Sequence, residues 1–557
     1  MIVKLNENAI LGLGELEGLI PKYFESTDNN VKLFVWGDLF IKDKDYADNN
    51  SKYSAFILLW DRKRETVFDE ITGSYVVFIA DNNLTSYYLF NSSFGMMPLY
   101  YSISGDQLLF SSRLKSFIDI QSHHVEIDKT GLLHYMMLGY PLGERSFLEN
   151  VKLLPAATLI SSTVNQWKVD RYDNHSWLLT PPSVSFKQGT AFIDELFEKA
   201  IRRISSLCNN FGIAITGGWD GRLILSYMTN REPVEFFLYT YGKNNHIDMK
   251  VAQRLAAHFN FKHIPVFLDD NFVRQYEALA KDSLLLSDGI RPANRSHYLM
   301  MAKILAEETN FVLSGNCGSN IMKIVQAPGV VYNKYLFRLF ANSLEQGASD
   351  AYNSFAADHQ WIKPLISKDD FIGSVMESGI IKDLKINNGS RFYHYLLTNV
   401  ERKYFGYETA AYASHIYNYT PFMDAEFLKG ILTTPFYGGH YNFLEKNPNV
   451  RYHLSRLYAD LMVRRHNELA KFTSDRGFPI TWFRHPAGRI AGFFKKKYFM
   501  KFLYEKDDDP FSHLAGMKEI KSKWSLLPDY FNPCPASSSN ETYIRAISWS
   551  KWYSEIG

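Results

Sequence analysis

The stretch that decides the fold is Phe211-Gly212-Ile213-Ala214-Ile215-Thr216-Gly217-Gly218-Trp219-Asp220-Gly221-Arg222. Its first five residues are a short apolar run that predicts a buried strand, and a helix is predicted from Arg222 onward. Gly217 and Gly218 lie in the turn between them and carry no side chains, so backbone N–H groups there can approach a phosphate. In an open parallel sheet, ligands bind beyond the carboxyl ends of the strands, where this turn falls. Tight turns use glycine so often that an ordinary turn explains these two glycines equally well.

Strands and helices alternate on both sides of this turn. Helices are predicted from about Phe192, at 248–259 and at 296–308, and strands at 234–240, 264–267 and 311–314. This alternation predicts a doubly wound parallel sheet within a chain that is α/β overall. The residues from about Tyr332 onward are predicted to be mostly helical.

The first third of the chain has a different pattern. Short aromatic and β-branched runs, separated by turn residues, predict strands at 32–36, 55–60, 75–80, 87–90, 99–103 and 107–111. Short strands at this spacing indicate a mainly antiparallel sheet or sandwich of the α+β class. We therefore expect an N-terminal domain at 1–182 and a second domain at 183–557, with the boundary near Pro181-Pro182-Ser183.

Charge and hydropathy exclude several classes of function. The net charge is +2, from 61 basic and 59 acidic residues, so no overall field favours nucleic acid. The sequence has no apolar run long enough to cross a bilayer, and residues 1–8 lack the apolar core of a signal peptide. Three widely spaced cysteines form neither a disulfide framework nor a zinc site. We expect a cytoplasmic protein, with Lys495-Lys496-Lys497 on the solvated face of a helix rather than on a membrane.

The polar residues of the deciding turn suit a nucleotide. Thr216 can donate a hydroxyl hydrogen bond, and Asp220 can hold Mg²⁺, which prefers oxygen ligands and bridges to phosphates. Arg222 can pair with a phosphate or a carboxylate through two hydrogen bonds.

The turn resembles the Ser-Gly-Gly-x-Asp-Ser pyrophosphate loop of the asparagine synthetase family. Further segments resemble that family in the same order along the chain, over residues from about 70 to about 480. These are Gly95-Met96-Met97-Pro98-Leu99-Tyr100-Tyr101, Phe110-Ser111-Ser112-Arg113-Leu114-Lys115, Phe147-Leu148-Glu149-Asn150-Val151-Lys152-Leu153-Leu154-Pro155, Ser314-Gly315-Asn316-Cys317-Gly318-Ser319-Asn320 and Tyr419-Thr420-Pro421-Phe422-Met423-Asp424.

The resemblance implies an N-terminal domain with the Ntn-hydrolase (glutaminase) fold and a C-terminal domain of the ATP-pyrophosphatase kind that binds ATP and Mg²⁺. Members of the family activate a carboxylate as an acyl-adenylate, release pyrophosphate and let an amine attack. Relatives make asparagine, β-lactam rings or peptide macrolactams. The implied ATP-binding residues are Thr216, Gly217, Gly218, Asp220, Gly221, Arg222, Ser314, Gly315 and Gly318, and the implied metal positions are Asp220 and Ser319.

Several family positions carry different residues here. The glutaminase nucleophile is a cysteine exposed after Met removal, whereas residue 2 is Ile2 and the first cysteine is Cys208. The glutamine-binding Asn-Gly-Glu is not found, so we expect no glutaminase activity. In the second loop, acidic positions of the family fall at Asn316, Ser319 and Asn320, which removes charge that would hold a hard cation.

Two catalytic positions of the family are also altered. The glutamate that helps to orient the attacking amine falls at Tyr417. The lysine that stabilises the adenylation transition state falls in the region 471–479, where the register leaves Lys471 or Arg476 as the cation. Both are explained equally well as surface charges in a loop.

The remaining polar candidates favour structural roles. We predict hydrogen-bonded or surface histidines, a solvated loop start at 269–270, a small buried residue at Cys317, and an acyl-substrate contact at Asp288 or Arg291. The histidines in question are His246, His263 and His297.

Two functions remain open. The first is an ATP-dependent ligase that joins a small-molecule or peptide carboxylate to an amine without glutamine, as in macrolactam or lactam formation, with a precursor peptide or a protease as partner. The second is a non-catalytic homologue that binds a ligand or partner, which the altered positions Ser319 and Tyr417 support. A tRNA-modifying pyrophosphatase is disfavoured because the sequence has no basic stripe.

Overall fold

The structure is a computed structural model. It describes residues 2–556 except 7–8, 13–21, 27–29, 45, 47, 82–84, 120–125, 164–165, 232, 326–328, 330, 443–444, 446, 504–510 and 534–540. Cys534 therefore lies outside the described residues, as do the side chains of Lys496 and Lys497. In the described part, no helix combines the length and the apolar character that a membrane span requires.

The N-terminal part is built from antiparallel sheets. A six-stranded sheet has the order β11-β10-β6-β5-β4-β3, a three-stranded sheet has the order β8-β7-β9, and β1 pairs with β2. The bounds are β1 (Ile2–Asn6), β2 (Ala9–Gly12), β3 (Lys22–Glu25), β4 (Val31–Ile41), β5 (Ile71–Asp81), β6 (Ser86–Asn91), β7 (Tyr100–Ser104), β8 (Gln107–Ser111), β9 (Lys152–Leu153), β10 (Thr158–Thr163) and β11 (Gln166–Arg171), with helices α1 (Asn49–Lys63), α2 (Lys115–Asp119) and α3 (Lys129–Leu138).

The six-stranded sheet buries both of its faces. Alternate residues of each strand point to opposite faces. Phe34 and Phe78 pack in one cluster with Tyr101 of the smaller sheet and with Leu99, which directly precedes that strand, and this makes a sandwich. The opposite face packs on α1.

The strand predicted at 55–60 is wrong, because these residues lie in α1. Tyr53, Phe56, Ile57 and Trp60 are buried at the spacing of one helical face. Asp48 begins the helix by accepting a hydrogen bond from the backbone N–H of Ser51 at 2.7 Å. An apolar run of six residues fits a strand and a helix segment equally well, and here the capping residue Asp48 starts a helix.

The C-terminal part contains a five-stranded parallel sheet of order β14-β13-β12-β15-β16. Its strands are β12 (Asn210–Ala214), β13 (Glu235–Gly242), β14 (His263–Phe267), β15 (Phe311–Leu313) and β16 (Tyr417–Tyr419). The α/β prediction and the parallel sheet are confirmed, although β16 falls in the region predicted to be mostly helical.

Helices surround this sheet and continue to the end of the described chain. They are α4 (Phe186–Ser205), α5 (Asp220–Met228), α6 (Ile247–Phe259), α7 (Asp270–Leu286), α8 (His297–Leu305), α9 (Gly318–Met322), α10 (Lys334–Ala341), α11 (Leu344–Asp358), α12 (Lys368–Met376), α13 (Asn388–Tyr395), α14 (Glu401–Tyr412), α15 (Ala425–Leu432), α16 (Pro448–Arg451), α17 (His453–Arg465), α18 (Asn467–Lys471), α19 (Pro486–Leu503), α20 (His513–Lys523) and α21 (Glu541–Ile556). The boundary predicted near 181–183 falls between a 3-10 turn at Ser176–Leu179 and α4, and it stays a prediction.

Helix α14 joins the two parts of the molecule. Arg402 donates to the carbonyl oxygens of Gly95 and Leu154, and Lys403 donates to that of Pro141. Both cationic side chains are buried, so these carbonyl oxygens replace the water that they lose. The contact between the two parts is therefore specific, and it lies beside the carboxyl ends of β15 and β16.

Candidate functional site

The first glycine loop lies at the carboxyl end of β12, at the centre of the parallel sheet. The Gly217 N–H donates to Asp248 Oδ1 at 2.8 Å, and the Gly218 N–H donates to Thr216 Oγ1 at 3.1 Å. A Cβ atom on Gly221 would lie 2.1 Å from the carbonyl oxygen of Ala214. Glycine at 221 therefore lets α5 begin directly against the end of β12.

The second loop meets the first at Asp220. A Cβ atom on Gly315 would lie 2.6 Å from Asp220 Cβ, and one on Gly318 would lie 2.9 Å from Asp220 Oδ1. The Ser319 hydroxyl donates to Asp220 Oδ2 at 3.0 Å, and the Tyr458 hydroxyl donates to Oδ1 at 2.9 Å. The structure thus brings together the two loops that the sequence predicts, with Asp220 at their contact.

Several groups around Asp220 influence the charge of its carboxyl group. Burial raises the pKa of its carboxyl group above the ordinary value, and the hydroxyl hydrogen bonds oppose that rise. The positive charges of Lys323 and Arg476 also oppose it. Asp220 is thus a half-buried carboxylate with two cations nearby, an arrangement suited to an anionic ligand that carries its own metal ion.

The opposite side of the loop is acidic and closed. Asp475 packs so closely on Gly217 that a Cβ atom there would lie 2.3 Å from Asp475 Cβ. Burial raises the pKa of Asp248, and the charge of Asp475 raises it further. Arg222 is buried and donates to the carbonyl oxygens of Phe472 at 3.0 Å and of Gly217 at 3.3 Å. Its guanidinium group therefore holds the loop in place against the segment 472–473.

The structure separates the two candidate cations. Lys471 is exposed on α18 and pairs with Glu468 at 2.8 Å. The Arg476 guanidinium lies over the ring of Trp219, 4.1 Å from its centroid, beside the start of α5. The geometry therefore favours Arg476 as the cation of the site.

Tyr417 shares a cavity wall with Asn316 and Cys317 of the second loop. It belongs to β16 and lines a cavity where the two parts of the molecule meet. Burial raises the pKa of its phenol, so at neutral pH the hydroxyl group is a hydrogen-bond donor and not a base.

Asp288 and Arg291 do not contact a cleft, so the predicted acyl-substrate contact is not supported. Asp288 accepts from the backbone N–H of Leu114 at 3.0 Å, and Arg291 pairs with Glu408 at 3.0 Å, all in the interior. Because their partners are buried, Asp288 and Arg291 belong to the contact between the two parts of the molecule.

The hydrogen-bonded roles predicted for the three histidines are confirmed. His263 bonds to Thr240, and the buried His297 bonds to His513 at 2.9 Å. His246 accepts from the backbone N–H of Asp248. Residues 269–270 are exposed as predicted, but they begin a helix and not a loop, because Asp269 caps α7 and Asp270 is its first residue.

Cys317 is a small buried residue beside Gly318 in the second loop, as predicted. Its backbone has a φ of 66°. Burial raises the pKa of its thiol, which excludes a thiolate nucleophile at neutral pH. The thiol lies beside Glu401, the first residue of α14, whose carboxyl group is fully buried. Burial raises the pKa of Glu401 to about 8, and the thiol hydrogen bond opposes this rise.

We expect Glu401 to make the protein less stable as pH rises. Its folded pKa of about 8 lies above the ordinary value of 4.5. Its contribution to stability is therefore fully present below about pH 4.5 and is lost as pH rises through about 8. Between about pH 4.5 and 8, the unfolding free energy of the wild type should fall with a slope to which Glu401 contributes nearly one proton. In Glu401→Gln this contribution should be absent, and urea unfolding at several pH values measures both slopes. An unchanged slope in the variant would contradict the assignment.

Comparisons with known proteins agree with this geometry. A model described as a glutamine amidotransferase domain matches residues 45–173, and one described as asparagine synthase matches residues 193–345. The first match lies in the N-terminal part of the molecule, and the second covers most of the parallel sheet. A curated relative, the glutamine-hydrolysing asparagine synthetase 1 of Bacillus subtilis (strain 168), is 24% identical over 233 residues. That match covers 40% of this chain and 35% of the relative, so the chain matches about a third of the synthetase's length.

A solved structure of the allosteric regulatory enzyme of purine biosynthesis is also similar in part. It is 7% identical, and the match covers 45% of this chain and 63% of that one, with a TM-score of 0.19. A TM-score this low does not establish a shared fold.

Sequence reasoning missed several residues of the site. Asp248 is recognisable only as a polar residue at the carboxyl end of β13, where a parallel sheet places ligand-binding groups. Tyr458 and Lys323 belong to no motif, since they are distant in sequence and only folding brings them to Asp220.

The oxygen donors at Asp220 fit a magnesium ion held mainly by phosphate. Mg²⁺ commonly binds through one or two carboxylates, water and the phosphates of its substrate. Among the described residues, no group of three or more His, Cys, Asp and Glu side chains is arranged to hold a metal. Asp220 and the hydroxyl of Ser319 would therefore supply protein oxygens, and the nucleotide the others.

Proposed function

We propose that this protein is a member of the asparagine synthetase family and an ATP-dependent ligase that adenylates a carboxylate and transfers it to an amine without hydrolysing glutamine. The observation that carries the proposal is the contact of two glycine loops at Asp220, with Arg476 and Lys323 nearby. A carboxylate with two cations nearby, at the start of a helix in the centre of a parallel sheet, suits a metal-bound polyphosphate.

The residues of the site have separate roles in this proposal. Asp220 would hold Mg²⁺, which when bound neutralises charge on the phosphates. Arg476 stabilises the negative charge that develops on the leaving pyrophosphate. Thr216 and the N–H groups at the start of α5 orient the phosphates, while Arg222 keeps the loop in register.

The nitrogen donor is an amine of the substrate itself or free ammonia. The first cysteine of the sequence is Cys208, so residues 45–173, which match the glutamine amidotransferase model, contain no thiol to attack glutamine. This supports a lactam- or macrolactam-forming ligase acting on a small molecule or a peptide, with a precursor peptide as its partner.

A non-catalytic homologue is the second candidate. Both carboxylate oxygens of Asp220 already accept hydrogen bonds from protein hydroxyl groups, and Asn316, Ser319 and Asn320 stand where acids bind metal in the family. Calorimetry with ATP and Mg²⁺, followed by pyrophosphate release with carboxylate mixtures, separates the candidates. ATP binding without pyrophosphate release supports the second, and failure of both contradicts the first.

Arg476 and Lys471 allow a matched test of the catalytic cation. We expect Arg476→Met to weaken ATP binding by about tenfold or more, because it removes a charge-assisted contact to phosphate. Lys471→Met should change it by less than about twofold, since an exposed ion pair contributes little. Calorimetry in the presence of Mg²⁺ gives both values, and a larger effect at Lys471 would reverse the assignment.

A further inference from the structure

A cavity of about 550 Å³ lies between the two parts of the molecule. Its walls come from both sheets of the N-terminal part and from α14, β16 and the second loop of the C-terminal part. This volume lies within the range of small-molecule sites, which are typically 300–1,000 Å³. The cavity is separate from the glycine loop that would hold the nucleotide.

The cavity walls are mostly apolar and carry no net charge. Aromatic and thioether side chains dominate, among them Trp36, Met97 and Phe110. Among the described lining residues, the charged side chains are Arg203 and Asp424, which pair with each other at 2.7 Å. A charged ligand group would therefore lose its water without gaining a partner, whereas a neutral apolar group would not.

The position of the cavity links it to the nucleotide site. Asn316 and Cys317 of the second loop form part of its wall, while Gly315 and Gly318 of the same loop contact Asp220. One loop thus has the candidate nucleotide site on one side and the cavity on the other. A group that fills the cavity ends close to where a carboxylate would be activated.

Three buried polar atoms of the described lining residues have no hydrogen-bond partner within the protein. They are Ser112 Oγ, Arg203 Nε and Asn418 Oδ1. Buried polar atoms are nearly always paired, so these atoms have hydrogen-bonding capacity left for an occupant. A few polar groups in an apolar wall fix the orientation of a ligand.

We infer that this cavity binds the uncharged, mostly apolar arm of the acyl substrate, an aliphatic or aromatic group whose carboxylate is presented to the second loop. The inference rests on the proposed function for the identity of the reacting group. The substrate is then a carboxylic acid with an apolar arm and not a small polar acid.

The test uses the full chain without ATP, so it is independent of nucleotide binding. Nile red, a neutral apolar dye, should bind and fluoresce, and octanamide should displace it while octylammonium of equal length should not. Ala410→Phe fills the cavity from α14 and should weaken dye binding by about tenfold. Ala357→Phe adds the same ring on the exposed surface of α11 and should leave it unchanged.

Equal dye affinity in the two phenylalanine variants, or no binding by the wild type, would overturn the inference. Should Ala410→Phe fail to fold in a thermal scan, Phe110→Ala enlarges the cavity instead and should shift preference from octanamide to dodecanamide. The absence of this shift would also overturn the inference.

A second experiment adds ATP and tests the link to the reaction. Octanoate should then release more pyrophosphate than acetate. Dye binding without this preference would support binding in the cavity and contradict its link to the reaction.

Discussion

Replacing Asp220 by alanine is expected to abolish the magnesium-dependent part of ATP binding, a loss of about a hundredfold in affinity or more. Asp220 is the carboxylate at which the two glycine loops meet, and the part of the chain that the structure describes offers no cluster of three or more His, Cys, Asp and Glu side chains to hold a hard cation in its place. The variant leaves the hydroxyl groups of Ser319 and Tyr458 without their acceptor.

The sign of the effect should depend on the metal. With Mg²⁺ in excess, the variant should bind ATP much more weakly than the wild type. With EDTA, it should bind ATP as well or better, because a negative charge beside the phosphates has gone. Calorimetry under both conditions gives the four affinities needed. Asp270→Ala is the control, since that exposed carboxylate also stands in the first turn of a helix, α7. Equal losses with and without Mg²⁺ would indicate general damage to the loop and not loss of a metal ligand.

The parallel sheet could be predicted closely from the sequence. Its strands are short apolar runs separated by helices with clear periodicity, so the predicted strand 264–267 differs from β14 by one residue. The helix α4 shows the limit. The apolar spacing of its sequence predicts one face that contains Phe192 and Leu196, yet Phe192 is 41% exposed while Ile193 is fully buried. A shift of one residue turns a helical face by about 100 degrees, which a short window of sequence does not detect.

The candidate site could be predicted only where its residues are close in sequence. Thr216 to Arg222 form one loop, and their placement follows from the strand before them. The role of Arg222 does not, because its carbonyl partners Phe472 and Thr473 lie 250 residues away or more. The choice between Lys471 and Arg476 also required the fold, since both flank the same short segment and only Arg476 lies on Trp219.

Among the described ion pairs, the buried network of Glu408, Arg291 and Arg295 should be the most costly to break, and Glu408→Ala should cost about 3–5 kcal/mol of unfolding free energy. Glu408 Oε2 accepts from Arg291 at 3.0 Å and from Arg295 at 2.9 Å, and the Glu408 and Arg291 side chains are almost fully buried. Removing the carboxylate leaves two guanidinium groups facing each other with little water to screen them. The effect exceeds that of the lost hydrogen bonds because the remaining charges are uncompensated.

A matched control separates this cost from the loss of any acidic side chain. Glu308 pairs with Lys262 at 2.6 Å, with both side chains exposed, and Glu308→Ala should cost less than about 1 kcal/mol. Urea unfolding of the two variants at one pH compares them directly. Adding Arg291→Met to Glu408→Ala should recover part of the lost unfolding free energy, because it removes one of the two unpaired charges. The methionine also keeps an apolar side chain against Tyr404, whose ring centroid lies 3.9 Å from the Arg291 guanidinium carbon. Equal costs at Glu408 and Glu308, or no recovery in the double variant, would show that the joint is held by packing and not by its charges.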